Sequence, residues 1–230
     1  MSQPTVLLFD FGGTLDADGD RWAVRFHSAY AAAGGRLGLR EFEVLFRESD
    51  RQLERDPAVQ TMGFRAMTIA QADLLRPLLP DGSSVHLGDV AERFHRDSLA
   101  MVERNRKTLE WLRDRYRLGV VSNFTGNLDW CLAEVDLLRY FSATADSLLL
   151  GWAKPDPRIF QWTLEMLQAE PGAAWMVGDN FETDIRPAAA LGLGTCWLAH
   201  PDRPSPSQSL GCGRIAQLTD LPAFLQTCMD

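Results

Sequence analysis

Residues 6–15 read VLLFDFGGTL, an apolar run that ends in an acid and a pair of glycines. Four consecutive apolar residues followed by a glycine turn are typical of a buried strand. Asp10 stands at the end of this strand, and the glycines after it let a ligand approach the backbone closely. A carboxylate in this position is a candidate nucleophile, although a turn aspartate that caps the following residues has the same pattern.

Three later segments repeat this arrangement of an apolar run followed by polar groups. They are LGVVSN at 118–123, GWAKPDP at 151–157 and WMVGD at 175–179, and Asp184 lies five residues beyond the last. In an open parallel sheet, ligands bind at the carboxyl ends of the strands. If the four segments are neighbours there, a nucleophile, a hydroxyl, an ammonium and two metal-binding acids converge. These are the groups that phosphoryl transfer requires.

The apolar pattern along the chain predicts an α/β fold with a helical insertion. Between about residues 20 and 117, apolar residues recur at steps of three and four, which is typical of amphipathic helices. The last helix of this block is predicted at 90–101, with Asp89 as its N-cap. Beyond it, predicted strands alternate with helices, which indicates βαβ units and a doubly wound, Rossmann-like parallel sheet. The helical block is then a cap over the carboxyl edge of the sheet.

The composition argues against several classes of function. The chain has 230 residues and a formal net charge of −8, which argues against general nucleic-acid or membrane binding. Cys131, Cys196, Cys212 and Cys228 have no CxxC spacing, so neither a disulfide framework nor a zinc site is expected. The sequence contains no signal-peptide pattern, and no apolar stretch approaches the roughly 20 residues that cross a bilayer. We therefore predict a cytoplasmic protein.

Four residues are candidates for handling a phosphate group. Ser122 and Asn123 precede a predicted helix, where a hydroxyl and backbone N–H groups could hold phosphate oxygens, although an ordinary N-cap has the same sequence. Gly13 belongs to the glycine pair after the first strand, which alone is a weak phosphate-loop signal. Lys154 lies in a loop bounded by glycine and proline, where its ammonium could neutralise substrate charge. A solvated surface lysine would have the same pattern.

Asp179 and Asp184 are candidate metal ligands. The first follows a strand and the second lies where the next helix begins, and such a pair suits a hard cation such as Mg²⁺. A helix cap at Asp184 and a local turn at Asp179 would give the same residues. With Asp10 available as a third ligand, we favour the metal site.

Taken in order, these motifs resemble those of the haloacid dehalogenase-like hydrolase superfamily, most closely its phosphatases with a helical cap. The resemblance covers essentially the whole chain. It implies an α/β core formed by residues 1–16 and 105–230, with a helical cap inserted at 17–104. It also implies that Asp10 is the nucleophile and that Lys154 is the basic catalytic residue.

The resemblance further implies how a metal and a phosphate are held. Mg²⁺ would be bound by Asp10, by the backbone carbonyl of Gly12, by Asp179, and by Asp184 directly or through water. Ser122 matches the hydroxyl that binds the phosphate in this family. A cap that closes over the site would hinge near residues 16–20 and 103–107.

One position departs from the family pattern. The phosphatases usually carry a second aspartate two residues after the nucleophile, where this chain has Gly12. A glycine cannot transfer a proton, and general acid–base help is worth about 10²–10⁴-fold in rate. Asp16, Asp18 or Asp20 could replace it, although all three also fit ordinary surface turns. Otherwise the substrate has a good leaving group, or the chain has lost turnover.

The leading interpretation is a Mg²⁺-dependent phosphatase for a small phosphorylated metabolite, working as a monomer or homodimer through an aspartyl-phosphate. In the cap, Arg25 and Arg65 are the first cations to consider for substrate contact.

One alternative is a 2-haloacid dehalogenase, which needs no metal, so that Asp179 and Asp184 count against it. The other is a binding or regulatory module without turnover, which Gly12 would favour.

Overall fold

The computed structural model describes residues 4–80, 84–204 and 213–228, and within these residues six parallel strands form a single sheet. The strands are β1 (Val6–Phe9), β2 (Arg117–Ser122), β3 (Ala143–Asp146), β4 (Ala174–Gly178), β5 (Gly194–Leu198) and β6 (Gly213–Ile215). Their order across the sheet is β3-β2-β1-β4-β5-β6, which confirms the predicted doubly wound α/β fold.

The central strand is buried on both of its faces. Successive side chains of a strand point to opposite sides, and those of β1 divide accordingly. Leu7 and Phe9 join the larger apolar cluster, whereas Val6 and Leu8 join a second cluster on the other face. A strand covered by helices on both faces requires a continuous apolar run, which explains the VLLF sequence.

In the described parts of the chain, four α-helices lie between β1 and β2, and five shorter ones follow. The first four are α1 (Trp22–Ala32), α2 (Leu39–Arg55), α3 (Phe64–Leu75) and α4 (Leu87–Arg113). The others are α5 (Leu128–Glu134), α6 (Ser147–Leu150), α7 (Pro157–Met166), α8 (Arg186–Ala190) and α9 (Leu221–Thr227). A π-helical turn, Phe181–Ile185, leads directly into α8.

Helix α4 is much longer than the sequence pattern predicted. It begins at Leu87 rather than at residue 90, so Asp89 lies in its first turn and does not cap it. Ser98 and Asn105 are polar but lie on its buried face, and they interrupt the apolar pattern that would have revealed one continuous helix. The helix runs through the predicted domain boundary and through the segment expected to hinge at 103–107. The division into core and cap therefore stays a prediction.

Three further observations concern the cysteines, one turn and the helices as candidates for membrane spans. Cys131 and Cys196 are buried, Cys228 is exposed, and Cys212 lies outside the described residues. Residues 201–204 make a turn, and the described chain resumes at residue 213. In the part of the chain that the structure describes, no helix combines the length and apolar character needed to cross a bilayer.

Candidate active site

The site lies where the strand order reverses. β1 pairs with β2 on one side and with β4 on the other, so polar residues that follow these strands meet at one edge. Asp10 follows β1 and Asp179 follows β4, and the backbone N–H of Asp10 donates to the carbonyl of Val177 at 3.1 Å. Such a reversal opens a crevice at the carboxyl ends of the strands, which is where ligands bind in open α/β sheets.

Residues from all four predicted segments converge in this crevice. Carboxylate oxygens of Asp10, Asp179 and Asp184 lie within 4.8 Å of one another, and all three residues are buried. Lys154 Nζ lies 2.9 Å from Asp10 Oδ1 and 2.7 Å from Asp184 Oδ1. The Ser122 hydroxyl donates to Asp10 Oδ1 at 2.8 Å. The expected meeting of a carboxylate, a hydroxyl, an ammonium and two further acids is therefore observed.

The segments that carry these side chains are fixed by local hydrogen bonds. Asn180 accepts from the N–H groups of Glu182 and Thr183 and so caps the turn that holds Asp184. Asp184 Oδ2 in turn accepts from the Asn180 N–H at 3.0 Å. The cap at this helix start is thus Asn180, which leaves Asp184 free to face Lys154.

Asn123 and Gly13 contact protein groups. The Asn123 amide accepts from the Lys154 N–H at 2.7 Å and donates to the Lys154 carbonyl at 2.9 Å. The Gly13 N–H donates to Asp16 Oδ1 at 2.7 Å. Asn123 therefore holds the loop of Lys154 in place. The assignment of both residues to phosphate binding stays a prediction.

The buried charges of the site do not balance. Three carboxylates face one ammonium, which leaves a net charge of −2 when all are ionised. Burial raises the pKa of Asp179, and the nearby Asp10 and Asp184 carboxylates raise it further. Burial also raises the pKa of Asp184 to about 6, although Lys154 acts in the opposite direction. For Lys154, burial opposes the charge, but the adjacent carboxylates prevail and raise its pKa above the usual value.

A divalent cation fits this imbalance. Asp179 Oδ2 is buried and has no hydrogen-bond partner among the described residues, which is costly for a carboxylate oxygen unless something binds it. Carboxylate oxygens are the ligands that Mg²⁺ and other hard cations prefer. Two positive charges would also neutralise the cluster. The donor set therefore suits the metal that the sequence motifs predict.

Two glycines let the carboxylates pack against the backbone. Gly13 has a φ of +90°, and a Cβ there would lie 2.8 Å from Asp179 Oδ1. At Gly178, a Cβ would lie 2.4 Å from Asp184 Oδ2 and 2.6 Å from its Cβ. Any larger side chain at either position would push an acid out of the cluster.

We expect Gly13→Ala to destabilise the protein by about 2–3 kcal/mol, because alanine disfavours positive φ and its methyl group would displace Asp179. Urea unfolding monitored by circular dichroism measures this change. Gly88→Ala is the matched control, since its Cβ would meet no atom within 4 Å. That variant should be neutral or slightly more stable because Gly88 lies in α4. Equal stability of the two variants would contradict the packing argument.

The space above Gly12 is occupied by an aromatic ring. A Cβ at Gly12 would lie 3.0 Å from Trp22 Nε1 and 3.2 Å from Trp22 Cε2. The same Nε1–H donates to Asp16 Oδ2 at 2.9 Å, which holds the indole in place. An acidic side chain at position 12 would therefore require Trp22 to move. The glycine and the tryptophan form one structural unit.

The aspartates proposed to substitute for an acid at position 12 are engaged elsewhere. Asp16 is completely buried, contrary to the surface turn that also fitted its sequence, and it accepts from Arg25 at 2.7 Å and from Ser98 at 3.1 Å. Asp18 forms two hydrogen bonds of 2.6 Å with Arg104. Asp20 is exposed and, like the other two, does not line the cavity described below.

The two arginines expected to contact substrate are also committed. Arg25 pairs with Asp16 and lies over the ring of Phe94, 4.5 Å from its centroid. Arg65 pairs with Glu92 on the protein surface. Neither arginine is among the described residues that line the cavity.

A cavity of about 340 Å³ opens from the acidic cluster toward the inserted helices. Its lining has a charged end in the sheet crevice, an apolar wall and a second polar end on α2 and α3. The charged end includes Asp10, Ser122, Lys154 and Asp179, the apolar wall includes Trp22, Phe26, Phe46, Leu53, Met67 and Phe124, and the second polar end includes Asp50, Glu54 and Gln71. This volume suits a small molecule.

The family model of the haloacid dehalogenase-like hydrolases matches residues 4–192. The chain belongs to this family. Haloacid dehalogenase-like hydrolase domain-containing protein 3 from Homo sapiens is 30% identical over 164 residues, which cover 69% of this chain and 60% of that protein. Pyrimidine 5'-nucleotidase YjjG from Escherichia coli is 30% identical over 119 residues, or 51% of this chain and 53% of that protein.

The haloacid dehalogenase-like fold is also found by structural comparison. The crystal structure of 2-haloacid dehalogenase from Pseudomonas syringae superposes with a TM-score of 0.55 and 23% identity, over 98% of this chain and 100% of that one. At this identity the likeness shows a shared fold. The matched segments span little more than half the length of the two curated relatives. The family and fold expected from the sequence motifs are thus confirmed.

Proposed function

We propose that the protein is a Mg²⁺-dependent phosphatase that removes phosphate from a small phosphorylated metabolite. The supporting observation is the cluster of Asp10, Asp179 and Asp184, whose oxygens lie within 4.8 Å of one another around a net negative charge. A relative with a nucleotidase name supports the same class of reaction. We further propose a core of residues 1–16 and 105–230, a helical cap at 17–104, and a cytoplasmic location.

Asp10 would act as the nucleophile. The Phe11 N–H, the Ser122 hydroxyl and the Lys154 ammonium all contact Oδ1, so Oδ2 is the oxygen that no described donor holds. Oδ2 would attack phosphorus, and the ester oxygen would leave with its bonding electrons. Water would then attack the aspartyl-phosphate at phosphorus, releasing inorganic phosphate and restoring the carboxylate.

Lys154 and Ser122 would stabilise the transferred group. Both lie beside Asp10, where an ammonium and a hydroxyl can contact phosphoryl oxygens and offset their growing charge. Asp10, the Gly12 carbonyl, Asp179 and Asp184 would hold Mg²⁺. When bound, the cation would supply further charge compensation. Positioning and electrostatics account for most of the barrier reduction in phosphoryl transfer.

Gly12 limits which substrates can react quickly. Among the described residues that line the cavity, the acids outside the metal cluster are Asp50 and Glu54, which belong to its other polar end. No carboxyl group therefore stands ready to protonate the leaving oxygen. We expect esters of acidic alcohols, and acyl phosphates, to react faster than simple alkyl phosphates by about 10²–10⁴-fold.

A phosphate-release screen tests this proposal. Aryl, acyl, sugar and nucleoside phosphates are compared with 5 mM Mg²⁺ and with EDTA, and rates are plotted against leaving-group pKa. We expect release only with Mg²⁺ and a steep decline as the leaving group becomes more basic. A parallel reaction measures chloride release from 2-chloropropionate in EDTA, which would instead indicate a dehalogenase. Ligand-induced thermal stabilisation without turnover of any compound would indicate a binding module.

A further inference from the structure

The second polar end of the cavity is built from three side chains on the inserted helices. Asp50 and Glu54 lie one turn apart on α2, and Gln71 lies on the neighbouring α3. All three line the cavity whose other end holds Asp10 and Lys154. None of them has a role in the phosphoryl transfer proposed above.

This end of the cavity presents hydrogen-bond acceptors. Gln71 is only 3% exposed, and its Nε2 donates to Ser49 Oγ at 2.7 Å and to Asp50 Oδ1 at 2.8 Å, which uses both of its N–H groups. Its Oε1 is buried without a hydrogen-bond partner among the described residues. A buried acceptor of this kind destabilises a protein unless a donor reaches it. The half-buried Asp50 and the exposed Glu54 add carboxylate oxygens beside it, and among the described contacts only Asp50 Oδ1 accepts a hydrogen bond.

The charge at this end is negative. Burial raises the pKa of Asp50 to about 7; the Gln71 hydrogen bond and Arg47 oppose the rise, and the Glu54 carboxylate adds to it. Apart from Lys154, the one cation among the described cavity-lining residues is Arg21, which already pairs with Glu43 at 2.7 Å. A positively charged ligand group would favour the ionised carboxylates.

We propose that Asp50, Glu54 and Gln71 bind a primary ammonium group on the substrate. An ammonium has three N–H donors and no acceptor, and the buried Gln71 Oε1, the half-buried Asp50 and the exposed Glu54 can each accept one of them. Building on the phosphatase function proposed above, the substrate is then a phosphate monoester with a terminal amine. The apolar wall of the cavity, which includes Trp22 and Phe46, would contact the carbon skeleton that joins the two charged groups.

Binding of phosphonates tests this proposal without depending on turnover. A series of ω-aminoalkylphosphonates with two to six methylene groups is compared with phosphonates that carry a terminal methyl group in place of the ammonium. Isothermal titration calorimetry is performed at pH 8 with Mg²⁺. For at least one chain length, we expect the wild-type protein to bind the amine at least about tenfold more tightly than its methyl counterpart.

Two variants assign the preference to these residues. Asp50→Asn and Gln71→Met should each lower the amine preference at least about fivefold, because each removes one acceptor. Asp73→Asn, an exposed residue of α3, is the matched control and should keep the preference. Asp50→Asn should fold, since its amide still accepts from Gln71. The raised pKa also means that ionised Asp50 destabilises the fold at pH 8, a cost that asparagine avoids.

The outcomes separate this inference from the proposed function. If no amine binds more tightly than its methyl counterpart, or if the preference survives in both variants, the ammonium site is wrong even when phosphate esters are hydrolysed. If the preference follows the variants but no ester is hydrolysed, the ammonium site stands and the phosphatase proposal fails.

Discussion

Asp10→Asn is expected to lower kcat for phosphate release by about 10⁴-fold or more, to the background rate. The amide oxygen of asparagine is a poor nucleophile and cannot form the aspartyl-phosphate. The change keeps the shape of the side chain, and an amide can still accept from Ser122, which contacts Oδ1 at 2.8 Å. It also removes one of three crowded negative charges, so the fold should be retained. Phosphate release from the fastest ester of the screen measures the effect.

The control for this variant is Asp73→Asn, which makes the same chemical change at an exposed position of α3. Its rate should equal that of the wild-type protein. A protein preparation must be free of deamidation, because asparagine can revert to aspartate, and mass spectrometry verifies this. Substantial activity in a verified Asp10→Asn sample would exclude covalent catalysis by this residue and leave water as the attacking nucleophile.

The meeting of the four motifs could be predicted because each is a local signal. An apolar run that ends in Asp10 or in Asp179 places that acid at the end of a strand, and a parallel sheet then places such ends at one edge. The bounds predicted for the first strand, residues 6–9, agree with β1. The turn before Asp184 was less predictable, since Asn180 and Asp184 are both reasonable helix caps from sequence alone.

The environment of Gly12 could not be predicted in this way. A buried Asp16 and an exposed turn aspartate have the same local pattern, and the difference depends on partners from distant parts of the chain. Ser98, which donates to Asp16, lies 82 positions away. The sequence places Trp22 on the apolar face of α1 but does not show what that face packs against. Its position above Gly12 becomes visible only when the helix is placed against the sheet.

Two polar residues in the helical pattern of the sequence indicate the second polar end of the cavity. Ser49 and Gln71 fall at positions where the periodicity of α2 and α3 calls for apolar, inward-facing residues, and both are buried. Polar residues on a buried face need partners, and here they contact each other at 2.7 Å. Asp50, next to Ser49, is half-buried and lines the cavity. Helices that line a cavity have a third environment, between core and solvent, which periodicity alone does not distinguish.

Lys154→Met should have the largest effect on stability. Lys154 Nζ contacts Asp10 at 2.9 Å and Asp184 at 2.7 Å, and among the described residues no other cation lies within ion-pair distance of the three carboxylates. Removing it leaves three buried carboxylates without an ion-pair partner, and deleting one partner of a buried ion pair costs about 3–5 kcal/mol. Urea unfolding in EDTA at pH 8 measures this loss. Phosphate release should also fall by about 10²–10³-fold, since the ammonium is absent from the transition state.

The chain supplies its own control, because Lys107 is the only other lysine in the sequence. It is exposed on α4, so Lys107→Met should change stability and rate little. Mg²⁺ provides a second comparison, because a divalent cation bound by the three acids would replace part of the missing charge. Adding 5 mM Mg²⁺ should therefore increase the unfolding free energy of Lys154→Met more than that of the wild-type protein. Equal gains in both proteins would mean that the ammonium and the cation do not share these carboxylates, which would contradict the metal site proposed here.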